Sequence, residues 1–228
     1  FGYEQYDTPI LEPAELYRSK TSDEIVNEES FLFTDRGGRE VMMRPEMTPS
    51  VSRIVAGKRQ EMGYPLRLFS IPNCFRYERP QKGRLREFWQ LNVDIFGVQG
   101  PEADAEMIQV ADSILKELGA IPEMYEIQIS ERGILDWLLK EKLGLDDVDA
   151  KTALQLVDKK SKISGEDFVN GLTKLGVEQE EVNIVNSILK VENLDQLPAE
   201  CQDFSWFKNL QTVFKILAGS GIAFKFKP

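Results

Sequence analysis

Between residues 75 and 96 the chain reads FRYERPQKGRLREFWQLNVDIF, and here residue types and spacing could do chemistry. Arg76, Arg79, Lys82, Arg84 and Arg86 place five cations within eleven residues of a chain whose formal net charge is −10. A local basic run on an acidic background is the mark of an anion site. Arginine dominates it, and the planar guanidinium fork suits phosphate and carboxylate. Pro80 and Gly83 break the run, so it reads as a turn rather than a helix. A solvated hairpin with a charged tip would carry the same cations. The segment that follows favours a site. Over residues 88–96 the side chains alternate with a period of two. Trp89, Leu91, Val93 and Ile95 make one apolar face; Phe88, Gln90, Asn92, Asp94 and Phe96 make the other. Three polar groups between two aromatics suit the floor of a polar pocket better than a core face.

A second candidate lies upstream, in Arg44-Pro45-Glu46-Met47-Thr48-Pro49. Thr48 followed by Pro49 reads as an N-cap with proline at the first helical position. The helix is expected to run to about residue 60, with Val51, Ile54 and Val55 inward. Glu46 then sits in a tight connection before a helix N-terminus, although a surface loop carboxylate fits the same position.

The elements that must hold these residues follow from periodicity and turn signals. A strand is expected over 4–11, a short helix over 14–19 and a polar loop over 20–29. Strands at 30–34 and 39–43 flank Asp35-Arg36-Gly37-Gly38, a hairpin signal. Strands at 66–77 and 88–96 flank the basic turn. A helix is expected over 102–118, with Ala105, Ile108, Ala111, Ile114, Leu115 and Leu118 inward and Gly119 ending it. A strand at 125–129 and a helix at 133–143 come next. From 145 to 202 the chain is charged and helical with no strand candidate, which reads as a helical insertion; Ser164 to Asp167 has a capping pattern. A helix over 203–218 and a strand over 222–226 complete the order. Strands joined by short turns imply an α+β fold: an antiparallel sheet flanked by helices.

Composition sets limits. The chain has 228 residues, 42% of them hydrophobic, enough for a substantial core. No apolar run approaches the ~20 residues needed to span a bilayer. Cys74 and Cys201 stand far apart, which argues against a disulfide framework and a zinc site. The absence of histidine removes His-based triads, metal ligands and bases. Chemistry must rest on carboxylates, arginines, lysines or a borrowed group. Neither G-x-x-x-x-G-K-[ST] nor G-x-G-x-x-G occurs, so bound ATP would have to be held by arginines on strands and loops. The acidic balance argues against wholesale wrapping by nucleic acid and leaves room for a local contact.

Residues 75–90 resemble motif 2 of class II aminoacyl-tRNA synthetases, most closely the histidyl-tRNA synthetase family's F-R-x-E-x-P-Q-x-G-R-x-R-x-F-x-Q. Arg44-Pro45-Glu46-Met47-Thr48 resembles that family's R-P-E-x-T segment, and Thr8-Pro9-Ile10-Leu11-Glu12 the end of motif 1. Pro101 to Glu106 resembles its helix start after motif 2. The resemblance runs in register from residue 1 to about 120, and more loosely through the insertion.

The resemblance implies an enzyme that activates L-histidine with ATP and Mg²⁺ and transfers it to the 3′ end of tRNA(His), in a cytoplasmic homodimer. It implies that Arg76 bridges the amino-acid carboxylate and the α-phosphate as the catalytic residue. Glu78 would recognise the adenine amino group, Arg84 fold onto the phosphates and Phe88 stack on adenine. Glu46, Met47, Thr48, Arg76, Gln90 and Asp94 would surround histidine. No protein metal ligand is implied. Residues 1–144 and 203–228 would form the catalytic core and 145–202 the insertion. Position 47 departs from the glycine common in the family, and Asp94 from the glutamate of many bacterial members. The R-G-L-D-Y-Y-type segment, motif 3, the anticodon-binding domain and the start of motif 1 are not in the chain. An incomplete catalytic domain, weak or inactive alone, is therefore expected. The alternative is a histidine-binding regulatory paralogue, like the regulatory subunit of ATP phosphoribosyltransferase, without ligase activity.

Overall fold

The computed structural model describes residues 1–19, 29–79 and 81–228. The loop expected over 20–29 therefore lies outside the described residues apart from Glu29, and so does Pro80 of the basic turn. The chain divides into two units, Phe1–Gln99 and Gly100–Pro228.

The first unit carries β1 (Glu4–Gln5), β2 (Leu11–Pro13), α1 (Ala14–Arg18), β3 (Leu32–Thr34), β4 (Glu40–Met43) and α2 (Thr48–Gly57), then β5 (Leu66–Ser70), β6 (Asn73–Phe75), β7 (Glu87–Trp89) and β8 (Asn92–Phe96). Strand β4 lies between β2 and β3, antiparallel to both. Strand β5 is antiparallel to β8 and parallel to β1. The single strand expected over 4–11 is two short strands in different sheets. Pro9, which has no N–H to give a ladder, lies in the break.

The site hairpin is likewise interrupted. Strands β6 and β7 pair with each other, while β5 pairs with β8. The interruptions, at Ile71-Pro72 and Gln90-Leu91, face one another, and Gln90 N still donates to Pro72 O at 3.1 Å. The register runs through without a bulge: Phe75 opposes Glu87, Asn73 opposes Trp89, Ser70 opposes Asn92 and Leu66 opposes Phe96. Period-two alternation thus survives the bend. Its apolar face is less buried than expected, since Trp89 is 71% exposed. Gly97 ends β8 at φ +82°, and a Cβ there would lie 2.6 Å from the Tyr64 ring, so both conformation and space call for glycine.

The second unit contains α3 (Pro101–Glu117), β9 (Ile127–Ile129), α4 (Arg132–Asp136) continuing into a π-helical turn (Trp137–Lys142), α5 (Asp147–Lys159), α6 (Gly165–Lys174), α7 (Gln179–Ile188), α8 (Ser205–Gly219) and β10 (Phe224–Phe226). Strands β9 and β10 pair in parallel, unlike the antiparallel pairing expected throughout. The helices between them supply the long crossover that a parallel pair needs. One apolar cluster fills this unit, including Leu138, Leu139, Phe168, Leu172, Val182, Val185 and Leu217. Helix α6 starts from the expected cap, with Ser164 Oγ accepting from Asp167 N at 3.0 Å. Helix α3 buries Ala105 and packs Ile108 as expected, but its C-terminal part departs from the expected face. Leu118 is exposed, while Asp112 is buried, bonded to the Tyr125 hydroxyl at 2.6 Å and to Lys116 at 2.7 Å.

Candidate active site

Beyond Phe75 the hairpin continues as a tight turn. Arg76 N donates to Arg86 O at 2.9 Å, and Arg84 N donates to Gln81 O at 3.0 Å across Lys82-Gly83, where Gly83 has φ +82°. This geometry brings the predicted nucleotide residues together. The Arg76 guanidinium carbon lies 5.5 Å from the Phe88 ring centroid, and Arg76 Nε donates to Pro45 O at 3.2 Å. The cation is thereby anchored to the segment that carries Glu46. Glu78 is tucked in, its side chain 9% exposed, with Arg84 Nε 2.6 Å from its Oε2. That oxygen is buried and the contact is not aligned as a hydrogen bond, so the two side chains meet as an ion pair. Arg84 is 61% exposed, and an ion pair with so open a partner is worth only about 0–1 kcal/mol.

Arg86, one of the five cations of the basic run, is held in place by the turn itself. Its Nε donates to Glu78 O at 3.2 Å, and its guanidinium lies 4.0 Å from the Tyr77 ring centroid. Tyr77 in turn meets Phe31 edge-on. Arg86 therefore fixes the backbone that presents Glu78. An arginine flanked by tyrosine and glutamate across a short turn carries that signal only once the pairing is known.

The predicted amino-acid residues gather where α2 begins, against β8. Thr48 is the first residue of α2, not its N-cap. Its hydroxyl is thus released from capping and donates to Asp94 Oδ1 at 3.1 Å. Asn92 Nδ2 donates to Thr48 Oγ1 at 3.0 Å and to Asp94 Oδ2 at 3.4 Å, while Gln90 Nε2 donates to Asn92 Oδ1 at 3.1 Å. Burial pushes the Asp94 carboxyl above its ordinary pKa, against the hydrogen bonds from Asn92 and Thr48 that pull it down. Desolvation disfavours the charge, and the two donors exist to hold it.

Met47 does not join this network. It is fully buried with Val51, Val55 and Leu68, and its sulfur accepts from Thr8 Oγ1 at 3.3 Å. Its side chain supports the site from beneath. Glu46 is half-buried beside it, and its charge, with those of Arg44 and Arg76, is felt by the buried Cys74 thiol. Burial raises that thiol's pKa, which favours the inert thiol form.

Arg44 is the residue that sequence reasoning passed over. At 3% exposure it donates through Nη1 to Thr8 O at 2.7 Å and Asp7 Oδ1 at 2.8 Å, through Nε to Asn73 O at 2.9 Å, and through Nη2 to Asn73 Oδ1 at 3.1 Å. One side chain thus joins the N-terminal segment, β6 and the approach to α2. The alternation of β4, which buries Met42, puts Arg44 two residues on toward the same interior, and that was the available signal.

This arrangement has counterparts. The chain superposes on histidyl-tRNA synthetase from Nostoc sp. PCC 7120 with a TM-score of 0.80 at 19% identity, covering 99% of this chain and 53% of that one. A structure described as an ATP phosphoribosyltransferase regulatory subunit/histidyl-tRNA synthetase from Bacillus halodurans matches with a TM-score of 0.73 at 23% identity, covering 99% and 59%. At those identities the likeness defines the fold alone, of mixed α+β type. Sequence goes further: the family model for histidyl-tRNA synthetase matches residues 1–218. The histidine–tRNA ligase of Leptospira biflexa is 43% identical over 201 residues, 87% of this chain and 46% of that protein. The histidine–tRNA ligase of Natronomonas pharaonis is 42% identical over 198 residues, 86% and 45% respectively. The chain belongs to the histidyl-tRNA synthetase family. It spans about half the length of the curated relatives it matches.

Proposed function

We propose that the protein to which this chain belongs is a class II histidine–tRNA ligase. It binds ATP, activates L-histidine as the adenylate and passes the acyl group to the 3′ end of tRNA(His). One observation carries this reading: a cation paired with a ring and a half-buried, hydrogen-bonded carboxylate follow one another along the Phe88 to Asp94 face. In the proposed reaction the histidine carboxylate attacks the α-phosphorus in line, and pyrophosphate leaves. Arg76 holds the carboxylate and α-phosphate together and offsets the charge that builds between them. Phe88 stacks on adenine, and the Glu78 carboxylate takes the adenine amino group. The phosphates draw Arg84 off Glu78, an exchange made cheap by Arg84's exposure. Glu46 and Thr48 meet the α-amino group, Met47 supports them, and Gln90 and Asp94 receive the imidazole. A buried carboxylate that accepts an imidazole N–H rejects apolar side chains, which would leave it unpaired.

Among the described residues no three His, Cys, Asp or Glu groups could hold a metal together. By the family resemblance Mg²⁺ would arrive with the triphosphate, since this ion keeps its waters and binds through substrate phosphates with few protein ligands. It would neutralise phosphate charge there. We assign residues 1–144 and 203–228 to the catalytic core and 145–202 to a helical insertion. A cytoplasmic homodimer is the assembly we propose. Among the described residues no helix is long and apolar enough to cross a membrane.

The regulatory-paralogue reading is weaker, since histidine binding alone gives no physical need for the Arg76, Glu78, Arg84 and Phe88 set. The deciding experiment is pyrophosphate exchange into ATP by the full-length protein. Exchange should require added histidine. Equal stimulation by other amino acids, or none, would refute the ligase.

A further inference from the structure

We infer that Asn92, to which no role attaches in the reading above, is the positioning residue that sets the hydrogen-bond polarity of the histidine pocket. The inference rests on the ligase reading of that pocket. Asn92 is 8% exposed, sits opposite Ser70 in the β5–β8 pairing, and hydrogen-bonds three polar side chains. Its contacts to Gln90, Thr48 and Asp94 measure 3.1, 3.0 and 3.4 Å. Thr48 closes the ring through its own bond to Asp94.

The direction of every proton in this ring follows from one fact: an ionised carboxylate can only accept. Asp94 therefore requires the Nδ2 end of Asn92, which leaves Oδ1 facing Gln90. Gln90 must then present Nε2 to Asn92, so the end it keeps for a ligand is Oε1, an acceptor. Thr48 receives one N–H from Asn92 and has a single proton to give, which goes to Asp94. The pocket thus meets its ligand with two acceptors, the Asp94 carboxylate and the Gln90 carbonyl oxygen. That suits a ligand rich in N–H groups, as an amino acid with an imidazole side chain is. The polarity of Gln90 is not intrinsic to glutamine; an amide could turn either way. It is imposed from Asp94 through Asn92.

Asn92→Asp tests this with almost no change of shape. It replaces the donor facing Asp94 with a second acceptor-only group, so the two carboxyls must share a proton and the polarity toward Gln90 is lost. In the full-length protein, histidine-dependent exchange should show the KM for histidine raised about ten- to a hundredfold, the loss expected when a hydrogen bond to a charged group is removed. The KM for ATP should hold within about twofold, because the nucleotide residues touch none of this ring. Asn92→Ser, which drops the amide without adding charge, should show the same split at smaller size and serves if the aspartate variant does not fold. A folded variant whose histidine KM stays at the wild-type value, or whose two KM values rise together, would overturn the inference while leaving the ligase reading intact. A wild-type protein without histidine-dependent exchange would instead remove the ligase reading, and this inference with it.

Discussion

Six of the seven buried polar or charged side chains among the described residues belong to the first unit: Thr8, Glu12, Arg44, Ser50, Ser70 and Asn92. Asp112 alone belongs to the second. Apolar burial runs the other way. The second unit has one cluster of 25 buried residues among those described, whereas the first has clusters of three and four. Burying a polar group is unfavourable unless it is bonded, so a unit accepts many only where their directions matter. Here they are bonded in pairs and rings: Glu12 to Arg53, the Tyr17 hydroxyl to Ser50, Arg44 to Thr8 and Asn73, and Asn92 to its three neighbours. The second unit is held by area and the first by aim. All nine candidate site residues lie in the first.

The largest test of this contrast is Arg76→Ala in the full-length protein. Arg76 bonds one carbonyl and leans on one ring, so its loss should leave the melting temperature close to wild type. Exchange should fall by about 10²–10³, the usual effect of removing a preorganised charge-stabilising donor. Wild-type exchange would mean that the catalytic cation has been misplaced.

Leu172→Ala should do the reverse. Leu172 is fully buried in the second unit's cluster, and truncating such a residue costs about 2–5 kcal/mol through lost transfer energy and the cavity left behind. Urea denaturation should show that loss, while exchange per folded molecule keeps its histidine and ATP KM values. A changed KM would break the division of labour between the units.

How far the sequence could be read follows the same divide. In the second unit, helical periodicity alone gave most elements, because one apolar stripe per helix suffices to build an area-driven core. It missed the parallel β9–β10 pairing and Asp112, a polar residue whose burial depends on Tyr125 and Lys116 arriving to bond it. In the first unit, alternation gave the Gln90, Asn92 and Asp94 face correctly, since the hairpin register survives its bend. The interruption of the hairpin and the freeing of Thr48 from capping were not legible, and the alternation of β4 pointed Arg44 inward without showing what it would bond. Each depends on a partner far along the chain: Pro72 for Gln90, Asp94 for Thr48, Asn73 for Arg44.

Arg44→Met probes that long-range bonding directly. Methionine keeps much of the volume but leaves Thr8 O and Asn73 O without their donor, at about 1–3 kcal/mol for each group that water does not reach. The ion pair adds little, because the Asp7 side chain is largely exposed. Stability should fall, and histidine KM should rise more than ATP KM, since Arg44 braces the approach to α2, where Thr48 sits. A substitution without effect on stability would show that buried polar bonding does not hold the first unit.

Asp94→Asn carries a small, pH-dependent stability effect and is the most diagnostic of site geometry held against folding. The folded Asp94 carboxyl keeps its proton to a higher pH than the unfolded one. The unfolded chain therefore binds fewer protons between those two values, and stability falls as pH rises through that window, remaining at the lower level at neutral pH. Asparagine cannot ionise; it still offers an oxygen to Thr48 and turns its amide toward Asn92, giving up only the longest bond of the ring, the 3.4 Å contact. The variant should be slightly more stable than wild type at pH 7, with the difference shrinking as pH is lowered below the unfolded carboxylate's pKa, while histidine-dependent exchange drops. Thermal melts at pH 3.5 and pH 7, approximate settings either side of the window for an ordinary carboxylate at about 3.9, measure it. A variant less stable at pH 7 than at the lower pH, relative to wild type, would mean that the Thr48 and Asn92 bonds outweigh desolvation, so that Asp94 supports the fold as well as the ligand.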